Sequence, residues 1–64
     1  MYALDLQHKT TRIVLVYASP EACVEAARPG CTIIQNIPDE ECRGDGERLL
    51  KYIDNVPEEE KVKV

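Results

Sequence analysis

The sequence lacks the features of a membrane-spanning or secreted protein. No apolar run approaches the 18 residues that a membrane-spanning helix requires. The first five residues also lack the basic and then apolar segments of a signal peptide. Its three cysteines are an odd number, which suits free thiols in a reducing compartment better than a disulfide framework. We therefore expect a cytoplasmic protein.

The sequence has little that could bind a metal. His8 is the only histidine, and Cys23, Cys31 and Cys42 are too far apart in sequence for the short ligand pairs of structural zinc sites. The run that starts at Asp39 begins like a calcium loop but has an arginine and a leucine at two essential ligand positions. We expect no metal site, with the cysteines as small core residues.

The combinations that catalysis requires are also missing. No nucleophile beside a base and no glycine-rich phosphate loop is visible in the sequence. The exposed acid pairs lack the burial that shifts a carboxylate pKa into a useful range. We expect neither an enzyme nor a cofactor.

The length of 64 residues allows one domain, residues 1–64. A domain this small buries only about 60% of the surface that its unfolded chain exposes. The apolar share of 44% and the charged share of 31% are those of an ordinary globular protein. The chain should fold alone but has little room for a deep pocket.

The N-terminal third predicts two strands joined by a hairpin. Tyr2, Leu4 and Leu6 occupy every second position, which is the spacing expected of a strand with one buried face. After a polar connection over residues 9–11, the β-branched run of residues 12–18 is long enough for a central strand.

A short helix and a third strand are predicted next. Ser19-Pro20-Glu21 has the residue types of a helix start, and Pro29-Gly30 should end the helix after Arg28. Residues 31–37 predict a strand that ends at Pro38. The small apolar residues expected to face the sheet are Cys23, Ala26 and Ala27.

The C-terminal part is less regular. Residues 39–47 are read as an exposed loop because they lack apolar periodicity. Residues 47–56 then have helical spacing, but they also fit a strand that turns at 57–60 into a last strand at 61–64. The predicted fold class is α+β: a small antiparallel sheet (ββαβ core) with one short helix packed on it, plus a C-terminal helix or an additional hairpin.

Acidic residues are concentrated in the second half of the chain. Residues 1–38 contain three acids and three bases, whereas residues 39–64 contain nine acids and five bases. Carboxylates on a rigid scaffold can occupy the rows of Lys and Arg with which proteins bind nucleic acid. A second interpretation is that these acids only keep a small domain in solution. The candidate partner-binding residues share one loop and are Asp39, Glu40, Glu41, Asp45 and Glu47.

The run from Arg12 to Ile37, with Ser19-Pro20-Glu21-Ala22 between two strands, resembles many short phage-encoded proteins. In size, α+β layout and C-terminal acid excess, the chain is similar to small acidic anti-CRISPR inhibitors of type I CRISPR–Cas complexes. The resemblance covers under half of the chain and includes no defining motif. It implies an inhibitor that binds a Cas protein, in some cases as a DNA mimic.

The leading hypothesis is therefore a small acidic binding protein that inhibits a nucleic-acid-binding complex by occupying its basic surface. It would bind neither nucleic acid nor a membrane directly, and a monomer is expected. The alternative is a small structural or regulatory subunit that binds a partner or itself through its sheet edge or an apolar face.

Overall fold

The computed structural model describes residues 1–64 as a four-stranded antiparallel sheet with short helices, an α+β fold. The strands are β1 (Tyr2–His8), β2 (Thr11–Tyr17), β3 (Thr32–Ile34) and β4 (Val62–Lys63). The helices are α1 (Pro20–Ala26), α2 (Asp39–Cys42) and α3 (Gly46–Asn55), followed by a 3-10 turn over Glu58–Glu60. The strand order is β2-β1-β3-β4.

The predicted N-terminal hairpin is confirmed, but its second strand is not central. β1 and β2 pair without a break from Tyr2 opposite Tyr17 to His8 opposite Thr11. A two-residue turn joins them, and Lys9 adopts a left-handed φ of 55° there. Because β3 returns on the other side of β1, β2 is left at the edge of the sheet.

The predicted start of α1 is confirmed. Ser19 Oγ accepts a hydrogen bond from the Ala22 N–H at 3.2 Å, and Pro20 occupies the first helical position. The helix ends at Ala26, two residues earlier than expected, and Gly30 makes the reversal with a φ of 94°.

The third strand is shorter than the sequence predicted. It pairs with β1 only over Thr32–Ile34. Asn36 adopts a left-handed φ of 58°, which interrupts the extended run before Pro38. Ile37 still lies beside the residue that precedes β1, because its N–H donates a hydrogen bond to the Met1 carbonyl at 2.8 Å.

The prediction of an irregular loop at residues 39–47 is wrong. Residues 39–42 form α2, and α3 begins at Gly46. Acids in the first turn of a helix are stabilised by the partial positive charge of its N-terminus, and both helices have them there. The acid run therefore indicates two helix starts rather than an irregular loop.

The C-terminal part combines the two predicted alternatives. A helix forms over residues 46–55, as the helical spacing predicted. The chain then turns at Glu58–Glu60, and β4 pairs with β3 through Ile33 opposite Val62 and Thr32 opposite Lys63. The last strand of the alternative is thus also present, although it has only two residues.

The core lies on both faces of the sheet. Against α3, a cluster forms from Ala3, Ile34, Ile37 and Ile53. On the opposite face, next to α1, a second cluster forms from Leu4, Cys23, Cys31 and Ile33. β1 therefore has two buried faces, not the single one that its alternation predicted, because successive residues Ala3 and Leu4 are covered by different helices. No helix has the length and apolar content to cross a membrane.

Candidate protein-binding surface

The five candidate acids lie on two consecutive helix starts, which we call the acidic end. Asp39, Glu40 and Glu41 belong to α2, Asp45 precedes α3, and Glu47 lies in the first turn of α3. Four of the five side chains are exposed, and Glu41 is half-buried. The structure places four of these residues in helices and Asp45 at the N-cap of α3, rather than all five on one loop.

Glu41 forms an ion pair with Arg48 within the protein. Arg48 donates from Nε to Glu41 Oε2 at 3.0 Å and from Nη2 to Oε1 at 3.1 Å, a two-bond pairing that connects α2 to α3. This hydrogen bonding to Glu41 raises the pKa of the Arg48 guanidinium. Gly44 leaves room for it, since an added Cβ would lie 3.3 Å from Arg48 Cδ. Glu41 therefore has a structural role.

Asp45 is the N-cap residue of α3. Its Oδ1 accepts a hydrogen bond from the Glu47 N–H at 3.1 Å, which satisfies one of the free N–H groups at the helix start. The Asp45 carboxylate is exposed. Replacing it would therefore change the stability of α3 as well as the surface charge.

Asp39, Glu40 and Glu47 remain available to a partner. None of the three forms an ion pair within the protein. All three are exposed and lie in the first turns of α2 and α3. The unpaired negative charge of the acidic end thus comes from these three carboxylates and the exposed carboxylate of Asp45.

Basic side chains lie beside the acids. A shallow groove of about 360 Å³ is lined by Glu41, Asp45 and Glu47 together with Arg48 and Lys51. Arg48 is neutralised by Glu41, whereas Lys51 forms no ion pair. The acidic end is therefore a mixed surface with an acid excess.

The remaining acids of the second half are divided between paired and unpaired groups. Asp54 Oδ1 lies 3.0 Å from Arg12 Nη2, and Glu58 contacts Lys61 at 3.3 Å and Lys63 at 3.4 Å. Hydrogen bonds from both lysines hold the Glu58 pKa below its ordinary value. These pairs involve two of the four remaining acids, Asp54 and Glu58, and leave Glu59 and Glu60 unpaired.

The thiols lie apart from the acidic end, except for Cys42. Cys23 and Cys31 are buried in the cluster next to α1, and Cys42 is half-buried against the other cluster. Burial raises the pKa of the Cys23 and Cys42 thiols, so little reactive thiolate forms there at neutral pH. No group of three or more His, Cys, Asp or Glu side chains is placed to hold a metal ion.

The feature that sequence reasoning missed is an apolar surface on β2. Ile13 and Leu15, on the α1 face of the sheet, are 42% and 48% exposed, and Val16, on the opposite face, is 37% exposed. The β-branched run of residues 12–18 predicts a central strand instead. Only the position of β3 reveals that β2 is an edge strand, and no local sequence signal specifies that position.

Comparisons with protein-family models, with curated proteins and with solved structures find no match for this chain.

Proposed function

We propose that this chain is a non-catalytic binding protein that inhibits a nucleic-acid-binding complex by covering its basic surface with the acidic end. The supporting observation is the set of three exposed, unpaired carboxylates, Asp39, Glu40 and Glu47, on adjoining helix starts. Carboxylates held on helices can meet Lys and Arg side chains that otherwise bind phosphates.

The composition of the core supports a binding protein over an enzyme. All eight buried residues are apolar or cysteine, and no buried polar or charged side chain is present. Catalytic acids and bases commonly need burial or a close charged partner to shift their pKa. The polar and charged groups that could contact a partner therefore all lie at the surface.

A type I CRISPR–Cas complex is the first partner to test, because of the resemblance to small acidic anti-CRISPR proteins. The purified complex is incubated with the protein, and binding of a labelled target duplex is measured by electrophoretic mobility. We expect inhibition that weakens as salt is added, since exposed charges are screened within about 10 Å at 0.1 M salt.

The acidic end is tested by the triple variant Asp39→Lys, Glu40→Lys and Glu47→Lys, which leaves the Glu41–Arg48 pair and the Asp45 cap intact. It should lose at least about tenfold in inhibition. The matched control reverses three other exposed, unpaired acids, changes the net charge equally and should keep its activity. Its substitutions are Glu25→Lys, Glu59→Lys and Glu60→Lys.

Equal inhibition by the two triple variants would contradict the acidic end as the contact surface. If the unmodified protein does not inhibit any of a panel of type I complexes, the anti-CRISPR interpretation is wrong. In that case the same pair of variants is compared in pull-downs with other basic nucleic-acid-binding proteins.

A further inference from the structure

The two edges of the sheet differ in how well they are protected against pairing. β4 has only two residues and includes Lys63, and short strands and lysines are devices that block edge-to-edge association. β2 has seven residues, contains no proline, glycine or lysine, and pairs with β1 without a bulge. The outer side of β2 is therefore a free, regular edge.

The turn of the hairpin determines which backbone groups of β2 are free. A two-residue turn makes its closing pair, His8 opposite Thr11, a hydrogen-bonded pair. Hydrogen-bonded and non-hydrogen-bonded pairs then alternate along an antiparallel ladder. The N–H and C=O groups of Arg12, Val14 and Val16 consequently point away from β1.

Apolar side chains extend along this edge on the α1 face. Leu6 lies opposite Ile13 and Leu4 lies opposite Leu15 in the hairpin. Leu4 is covered by the cluster next to α1, but Ile13 and Leu15 remain 42% and 48% exposed. A strand added beside β2 would cover both.

We propose that two copies of this chain pair antiparallel along β2, about a two-fold axis at Val14, to form a dimer with one continuous sheet. This register joins the free backbone groups of Val14 to those of Val14 in the other copy, and Arg12 to Val16. On the α1 face it places Ile13 opposite Leu15 of the other copy, and the reverse. The edge is therefore complementary to itself in both hydrogen bonding and apolar contact.

The charge at this edge is small. Arg12 is the only charged residue of β2, and its ion pairs with Asp5 at 2.9 Å and Asp54 at 3.0 Å leave one net negative charge beside the edge. The whole chain has a net charge of −4, of which this group of ion-paired side chains accounts for −1. Pairing along β2 therefore brings together only a small part of the charge that makes two copies repel.

The same geometry closes the assembly at two copies. A β2-to-β4 contact would have only the two residues of β4 to pair with, so a chain of copies gains little. A contact of β2 with β2 uses the free edge of both copies and leaves no further long edge open. At about 3.3 Å per residue the edge is roughly 23 Å long, in a molecule whose largest extent is 28 Å.

This dimer is independent of docking by the acidic end, and it differs from the monomer expected from the sequence. An interface limited to one strand edge and its flanking side chains is smaller than the roughly 1,200 Å² of stable complexes. We therefore expect it to dissociate on dilution.

Sedimentation velocity of the intact protein from about 10 μM to about 1 mM tests the dimer. We expect a shift from monomer to dimer over this range. Leu15→Lys should raise the dissociation constant about tenfold or more, because the two-fold axis repeats the lost contact. The matched control, Val24→Lys, adds the same charge at a 64% exposed position on α1 and should leave the constant unchanged.

Amide hydrogen exchange of the unmodified protein identifies the edge without any substitution. The amides of Arg12, Val14 and Val16 should exchange more slowly as concentration rises, whereas those of Ile13 and Leu15 should be protected at every concentration. A protein that stays monomeric up to the highest concentration overturns the proposal. So does a dimer whose edge amides do not respond to concentration, or one that Val24→Lys weakens as much as Leu15→Lys.

Discussion

Arg12 connects three elements of the fold through one guanidinium. Its Nε donates to Asp5 Oδ1 at 3.1 Å and its Nη2 to Asp5 Oδ2 at 2.9 Å, which joins β2 to β1. Its Nη2 also lies 3.0 Å from Asp54 Oδ1 at the end of α3. The hydrogen bonds to Asp5 and, to a smaller extent, to Asp54 raise the pKa of Arg12 above its ordinary value.

The two carboxylates should contribute unequally to stability. The Asp5 side chain is 19% exposed and forms two hydrogen bonds, whereas that of Asp54 is 61% exposed. We expect Asp5→Asn to lower the free energy of unfolding by about 1 kcal/mol, and Asp54→Asn to lower it by less than about 0.5 kcal/mol. Urea unfolding measures both values. Equal losses would show that geometry and burial do not distinguish the pairs.

At the scale of elements, the helices depend on caps that short stretches of sequence encode. Ser19 caps α1 and Asp45 caps α3, and the side chain of each accepts a hydrogen bond from a backbone N–H in the first turn of its helix. α1 has seven residues and α2 has four, so neither is long enough to be stable without the sheet or a neighbouring helix. The Glu41–Arg48 pair is the side-chain link between α2 and α3.

The cap of α3 can be separated from the charge of Asp45. We expect Asp45→Ala to lower the free energy of unfolding by about 1 kcal/mol, because the Glu47 N–H loses its acceptor. Asp45→Asn removes the charge but keeps an acceptor oxygen, so its stability should stay close to that of the unmodified protein. Both are measured by urea unfolding followed by circular dichroism. An Asn variant as unstable as the Ala variant would mean that charge, not capping, is what Asp45 supplies.

At the scale of the whole molecule, two small cores share the central strands β1 and β3. Each core has four buried residues, and Ala3 and Leu4 of β1 belong to different cores. Loss of either core removes support from the same two strands. The two faces should therefore unfold together.

A small deletion in one core tests this coupling. Ile53 is fully buried, and Ile53→Val should lower the free energy of unfolding by about 1 kcal/mol. Val24→Ala, at a 64% exposed position, should change it by less than about 0.5 kcal/mol. Amide resonances from both faces, followed in urea, should disappear at one common midpoint that Ile53→Val lowers. Separate midpoints for the two faces would contradict the coupling.

Local signals account for the part of the fold that the sequence predicted. The start of α1, the hairpin and the helical spacing of residues 49–56 each depend on neighbouring residues, so reading along the chain finds them. The acids at 39–47 were also a local signal, since both helices begin there. The lack of apolar periodicity in this segment predicts a loop, whereas its acids stabilise the N-termini of α2 and α3.

Composition and local patterns along the chain are enough to indicate a small α+β fold with free cysteines and an acid excess in its second half. The position of β2 at the edge of the sheet is set by the tertiary fold, because it depends on which side of β1 the distant strand β3 joins. The tertiary fold also determines which acids are unpaired, since Glu41 and Asp54 contact Arg48 and Arg12 only once the helices have packed. The physical reason is that capping and periodicity act between neighbours in sequence, whereas strand order and ion pairing depend on residues that meet only in the folded chain.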